Sequence, residues 1–170
     1  MKRIISTTPT PENIAAVLEL LAATPGRLED FERRLIFKEN KRPRPEEWSP
    51  VEVLAHLINV EARTAEAIMA ALLCDEPLLI DIHPQRQWGR LLQLERIPYV
   101  DLLAYFRLRR QILLGVLESL ASQQWNRSVR ETGKKRHESV YWLVRAMALH
   151  EHEHVQAIDD RFKESGPDAS

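Results

Sequence analysis

The chain has 170 residues, 44% of them hydrophobic, with 24 basic and 25 acidic side chains for a net charge of −1. This length and composition fit one domain, residues 1–170, with a sizeable core, and without a basic stripe interleaved with aromatics they give no support to a nucleic-acid partner. No uncharged apolar run approaches the roughly eighteen residues of a membrane span, and MKRIISTTPTPE lacks the apolar region of a signal peptide. A soluble, cytoplasmic protein with no membrane partner is expected.

In chain order, Thr10-Pro11 opens a first helix, an N-cap followed by proline at the first helical position, and Ile14, Val17, Leu18 and Leu21 keep helical spacing. Thr24-Pro25 repeats the signal and predicts a separate shorter helix to about Phe37, carrying Leu28, Phe31, Leu35 and Ile36. Lys38–Pro45, with its charges and two prolines, reads as a loop. Ser49-Pro50-Val51-Glu52 is a capping box that launches a helix to about Cys74, with Val53, Leu57, Val60, Thr64, Ala67, Ile68 and Ala71 on its apolar stripe and His56 at the stripe's edge. The one cysteine, Cys74, reads as a small core hydrophobe.

From Asp75 to Pro98 the pattern lapses into a long connection with room for a short helix at about Gln87–Leu94, the kind of segment that often covers a site. His83 in this stretch, beside a proline, reads as a surface residue. A third long helix spans about Tyr99–Ala121 on an apolar face of Leu102, Leu103, Phe106, Ile112, Leu113, Val116, Leu117 and Leu120, while Arg107–Arg110 reads as a solvated edge. Residues 125–136 form a basic loop around Gly133. The last helix begins near Ser139 and runs to about Lys163, with Gly166-Pro167 as its stop. No segment alternates at period two over a useful length, so the expected architecture is all-α, an up-and-down type four-helix bundle with an additional short helix and a long connection after the second bundle helix.

Three of the six histidines fall within His150-Glu151-His152-Glu153-His154. At about 100° per residue, His150 and His154 stack on one helix face, the one that also carries Leu143, Ala146, Met147, Ala157 and Ile158; His152 points to solvent. A single inward imidazole is commonly satisfied by a carbonyl or carboxylate. A stacked pair on an apolar stripe favours a shared cation, because each ring nitrogen buried without a partner costs roughly 1–3 kcal/mol.

The same residues satisfy H-E-x-x-H, the zinc-protease motif. Its longer form requires a glycine where Ala157 stands, so the helix continues and carries Asp160 about 9 Å along the axis, away from the ion. With no strand to bind an extended peptide, a protease is disfavoured. Glu151 is retained as a candidate general base, otherwise a flanking half-exposed residue; Glu153, Asn59 and Glu61 are weaker candidates for orienting a ligand imidazole.

WSPVEVLAHLINVE at 48–61, followed by HEHEHVQAI at 150–158, resembles the DinB/YfiT-like superfamily, and the helix order and the arginines midway along the third long helix extend the resemblance over essentially the whole chain. The resemblance implies a divalent metal held by three histidines, His56, His150 and His154, with a coordination position open to water or substrate. Nickel or zinc leads, with manganese or iron as other candidates. It further implies a homodimer and a small-molecule substrate, and an activity that is either transfer to a low-molecular-weight thiol such as bacillithiol or mycothiol, or metal-dependent hydrolysis. A non-catalytic, stress-associated metal-binding protein is the alternative.

Overall fold

The computed structural model describes residues 5–35, 41–42 and 44–164. Ile36, Phe37, Lys38–Asn40, Pro43 and Gly166-Pro167, which the sequence placed at a helix end, in a loop and at a stop, lie outside the described residues. Helix α1 is Pro11–Leu35. Thr10 caps it, its Oγ1 accepting from the Asn13 N–H at 3.3 Å. The break expected at Thr24-Pro25 does not occur, because other groups take up what the proline leaves free. Pro25 has no N–H for the Leu21 carbonyl, and the Arg110 guanidinium donates to that oxygen instead, at 2.8 Å. The Thr24 hydroxyl donates to the Leu20 carbonyl at 3.1 Å.

Helix α2, Pro50–Leu73, starts on the expected capping box. The Ser49 hydroxyl accepts from the Glu52 N–H at 3.3 Å, and the Glu52 carboxylate accepts from the Ser49 N–H at 2.8 Å. Ser49→Ala is expected to lower stability by about 1 kcal/mol in urea titration. Past the helix end Cys74 is exposed; its place in the core was wrongly expected, since the apolar stripe closes at Ala71.

The connection that follows is more ordered than a loop with one short helix. It holds a two-residue strand β1, Leu78–Leu79, a π-helical turn Pro84–Gly89, the short helix α3, Arg90–Leu92, and a 3₁₀ turn Leu94–Arg96. Helix α4 is Tyr99–Glu118 and helix α5 is Val140–Glu164. Between them β2, Ser128–Glu131, and β3, Glu138–Ser139, turn about Gly133, whose φ of +85° suits glycine. The strand β2 pairs parallel to β1 (Leu78 with Arg130) and antiparallel to β3 (Val129 with Glu138). No strands were expected; segments of two to four residues are too short for a period-two pattern to be read.

The four long helices form the expected bundle, in which α1 and α2 each pack against both α4 and α5. Helix α1 thus sits diagonally across from α2, and α4 from α5, while α2 and α4 are neighbours. Two apolar clusters fill the interior. One gathers Val17, Leu21, Ile68, Leu117, Tyr141 and Val144; the other gathers Leu28, Phe31, Leu54, Leu57, Phe106 and Val155.

In sequence position, a charged layer falls between these clusters on three of the helices. Arg110 is 1% exposed, not a solvated edge, and its guanidinium bonds Glu61 Oε2 at 2.8 Å and Glu151 Oε1 and Oε2 at 2.6 and 3.0 Å. Arg109 adds a bond to Glu61 Oε1 at 3.1 Å. Each of the three buried charges occupies an apolar stripe position: Arg110 lies between Phe106 and Leu113, Glu61 between Ile58 and Ile68, Glu151 between Met147 and Val155. Ile112, by contrast, is 61% exposed and stands outside the α4 core face.

Candidate metal centre

His56 lies in the second turn of α2, and His150 and His154 lie one turn apart on α5. The packing of α2 against α5 brings them together. The Nε2 atoms of His56 and His150 are 2.8 Å apart, and one ligand atom from each of the three rings falls within 4.8 Å of the others. Two imidazole nitrogens bound to one ion lie roughly 3–3.5 Å apart. The cluster is therefore close to ligating geometry, and a donor set of three imidazoles suits zinc, nickel, iron or copper.

The rings are neutral near pH 7, the form that binds a cation. Burial lowers the pKa of His56 and of His150. His154 is pushed down to about 4, first by burial and then by the neighbouring rings of His150 and His56. The buried face of α5 is rotated from the one expected: its centre is Val144, Met147, Ala148, Glu151 and Val155, so His150 and His154 flank the core half-buried, Ala157 is exposed, and His152 is half-buried. His152 Nδ1 comes within 3.5 Å of Arg27 on α1, away from the cluster.

Two residues that the sequence reading did not assign to the site complete it. Gln85 Oε1 lies 3.1 Å from His56 Nδ1; a carbonyl oxygen can only accept, so Nδ1 carries the hydrogen and Nε2 presents its lone pair to the cluster. The π-helical turn that carries Gln85 is capped by His83, whose Nδ1 accepts from the Gln85 and Arg86 N–H groups at 3.2 and 3.3 Å. A side chain at Gly89 would meet the Gln85 amide at 3.3 Å, so glycine leaves this amide its room. π-Turns often occur at functional sites, but nothing in local sequence reveals this one. Gln85→Leu is expected to weaken metal binding 10–100-fold in competition with a chromophoric chelator, with Gln85→Glu retaining most of it.

The other addition is Trp48, the residue before the helix cap. Its ring is nearly parallel to that of His154, at 5° and 5.9 Å, and tilted against His56 at 4.9 Å. It covers one side of the cluster.

The remaining candidates fall elsewhere. Glu151 is 0% exposed and bound through both oxygens to Arg110, which corrects the expectation of a half-exposed flanking residue. Burial raises its carboxyl pKa while Arg110 draws it back. Glu61 serves Arg109 and Arg110. The Asn59 Oδ1 has no hydrogen-bond partner among the described residues. Glu153 is exposed.

A cleft of about 480 Å³ opens beside the cluster. Val60, Ala67 and Met147 supply apolar wall, Asp81 and His83 come from the connection, and His150 belongs both to this wall and to the histidine cluster. The connection after α2 thus forms one side of the cleft, as its length suggested.

Residues 38–158 match the family model described as the DinB superfamily. Among solved structures, the chain is similar to YfiT from Bacillus subtilis, described as a probable metal-dependent hydrolase with an unusual four-helix bundle topology. The TM-score is 0.81 at 16% identity, over 95% of this chain and 92% of that one. At that identity the likeness establishes the fold. No curated protein matches the chain.

Proposed function

The chain belongs to the DinB superfamily, and from that membership we propose that it is a metal-dependent enzyme acting on a small molecule, with hydrolysis as its reaction. His56, His150 and His154 hold a divalent cation, nickel or zinc first, then manganese or iron. The observation that carries this reading is that His150 belongs at once to the three-histidine cluster and to the wall of the 480 Å³ cleft, so a small molecule can reach the ligands. When bound, the cation supplies Lewis-acid polarisation and makes water or a thiol acidic enough to lose its proton near neutral pH.

The chain's own residues supply orientation and hydrogen bonding. Gln85 holds the His56 tautomer, and Trp48 covers the rings of His56 and His154 from one side. We give Glu151 no proton-transfer role, because Arg110 occupies both its oxygens. His83 lines the cleft with Nδ1 accepting from two backbone N–H groups, so the neutral ring carries its hydrogen on Nε2, the atom left to donate a hydrogen bond to a substrate.

Transfer to a low-molecular-weight thiol, the second reading, uses the same ligands and cleft. Metal-loaded protein is to be assayed with a panel of activated esters and amides, and with bacillithiol, mycothiol and glutathione against an electrophilic fluorophore. Turnover that disappears on chelation and in His150→Ala supports the enzyme, and the panel that responds selects the reaction. No turnover on either panel with one metal bound per chain would favour the non-catalytic metal-binding alternative. Size measurement in solution tests the homodimer.

A further inference from the structure

On the α2–α4 side of the molecule lies a second cleft, of about 320 Å³. It shares no wall residue with the cleft beside the histidines. Its walls are apolar: Leu92 and Leu94 from the connection, Ile97 before α4, and Leu102 and Tyr105 from α4. Gln93, in the left-handed region at φ 48°, bends the chain between the two leucines, both of which border the cleft. Leu92, Ile97 and Tyr105 are 51%, 39% and 47% exposed, so this wall is open to water.

Asn59 also belongs to the wall and is 1% exposed. Its Oδ1 is the buried side-chain polar atom left without a hydrogen-bond partner among the described residues. An unpaired buried amide costs roughly 1–3 kcal/mol, and its neighbours Ile58 and Ala62 show that this stretch of α2 accommodates apolar residues. A locally unfavourable polar group beside a cavity of small-molecule size, roughly 300–1,000 Å³, is the signature of a binding position rather than of a packing position.

We propose that this cleft is a second ligand site, separate from the metal centre, that takes a small, neutral, apolar molecule carrying an amide or an equivalent group offering both an N–H donor and a carbonyl acceptor. The Asn59 carboxamide pairs with such a group in either of its two orientations, since it too offers both. The apolar body of the ligand covers Leu94, Ile97 and Leu102. Asp101 is the charged residue in the wall, and its carboxylate disfavours anions.

The test uses the full-length, metal-loaded protein labelled with ¹⁵N and titrated with hexanamide, with hexanoate as the anion of equal length. Saturable shifts of the Asn59 side-chain NH₂ and of the Leu94 and Ile97 backbone amides are expected, with hexanamide binding at least tenfold more tightly than hexanoate. Asn59→Leu is expected to remove that preference while melting at the same temperature as the parent or higher, because the unpaired amide is gone. Ile97→Arg, at the exposed rim, keeps Asn59 intact and is expected to block binding. Equal binding of the two compounds, or shifts that persist in both variants, would overturn the proposal. Shifts at Asn59 that follow protein concentration instead of hexanamide would also overturn it, marking the face as a contact between copies.

Discussion

Arg110→Met is expected to destabilise the protein by about 3–5 kcal/mol, the usual consequence of removing one partner from a buried ion pair. Arg110 is 1% exposed and holds both oxygens of Glu151, one oxygen of Glu61 and the Leu21 carbonyl that Pro25 leaves free. Glu61 keeps Arg109 in the variant. Glu151, 0% exposed, keeps no cationic partner among the side chains bonded to it here. Urea unfolding measures the loss, which in a chain of this length corresponds to a fall in Tm of roughly 10 °C. Adding Glu151→Met to Arg110→Met should recover part of it, since replacing both partners removes the stranded charge; a double variant as unstable as the sum of the singles would contradict this account. Glu151 sits between His150 and His154 on α5, so loss of its partner is expected to shift both rings, and Arg110→Met should weaken metal binding as well.

His56→Ala, His150→Ala and His154→Ala are each expected to lower metal content from about one ion per chain to under about 0.2, read by elemental analysis of protein purified without an affinity tag. In the parent, metal at a hundred times its Kd should stabilise the fold by about 2.7 kcal/mol, and chelation should reverse the gain. The three variants should show no such gain. His152→Ala is the control: that ring lies beside Arg27, apart from the cluster, and its removal should leave metal binding unchanged. An equal loss in His152→Ala would place the ion elsewhere on α5.

The helices were legible where the physics is local. The Ser49 capping box and the Thr10 cap stand where their residue types put them, and the i, i+4 spacing of His150 and His154 set two rings on one face before any fold was known. Pro25 misled for the same reason, because the group that relieves it, Arg110, comes from a helix far along the chain. The buried charges left a trace that composition hid: Arg110, Glu61 and Glu151 each interrupt an apolar stripe. One such interruption reads as noise, and three of complementary sign on three helices read as a layer. The short strands and the π-turn left no trace.

What the sequence determined unaided was therefore the long helices, apart from the break expected at Pro25, and the pair of histidines on α5, since periodicity and capping depend only on residues within a turn or two of each other. The third candidate ligand, His56, came from family resemblance. Tertiary structure alone decided that His56 comes within 2.8 Å of His150, that Gln85 holds the His56 ring, and that Glu151 turns to Arg110. Those contacts join residues tens of positions apart, and they depend on the rotation and register at which whole helices pack, which no local pattern encodes.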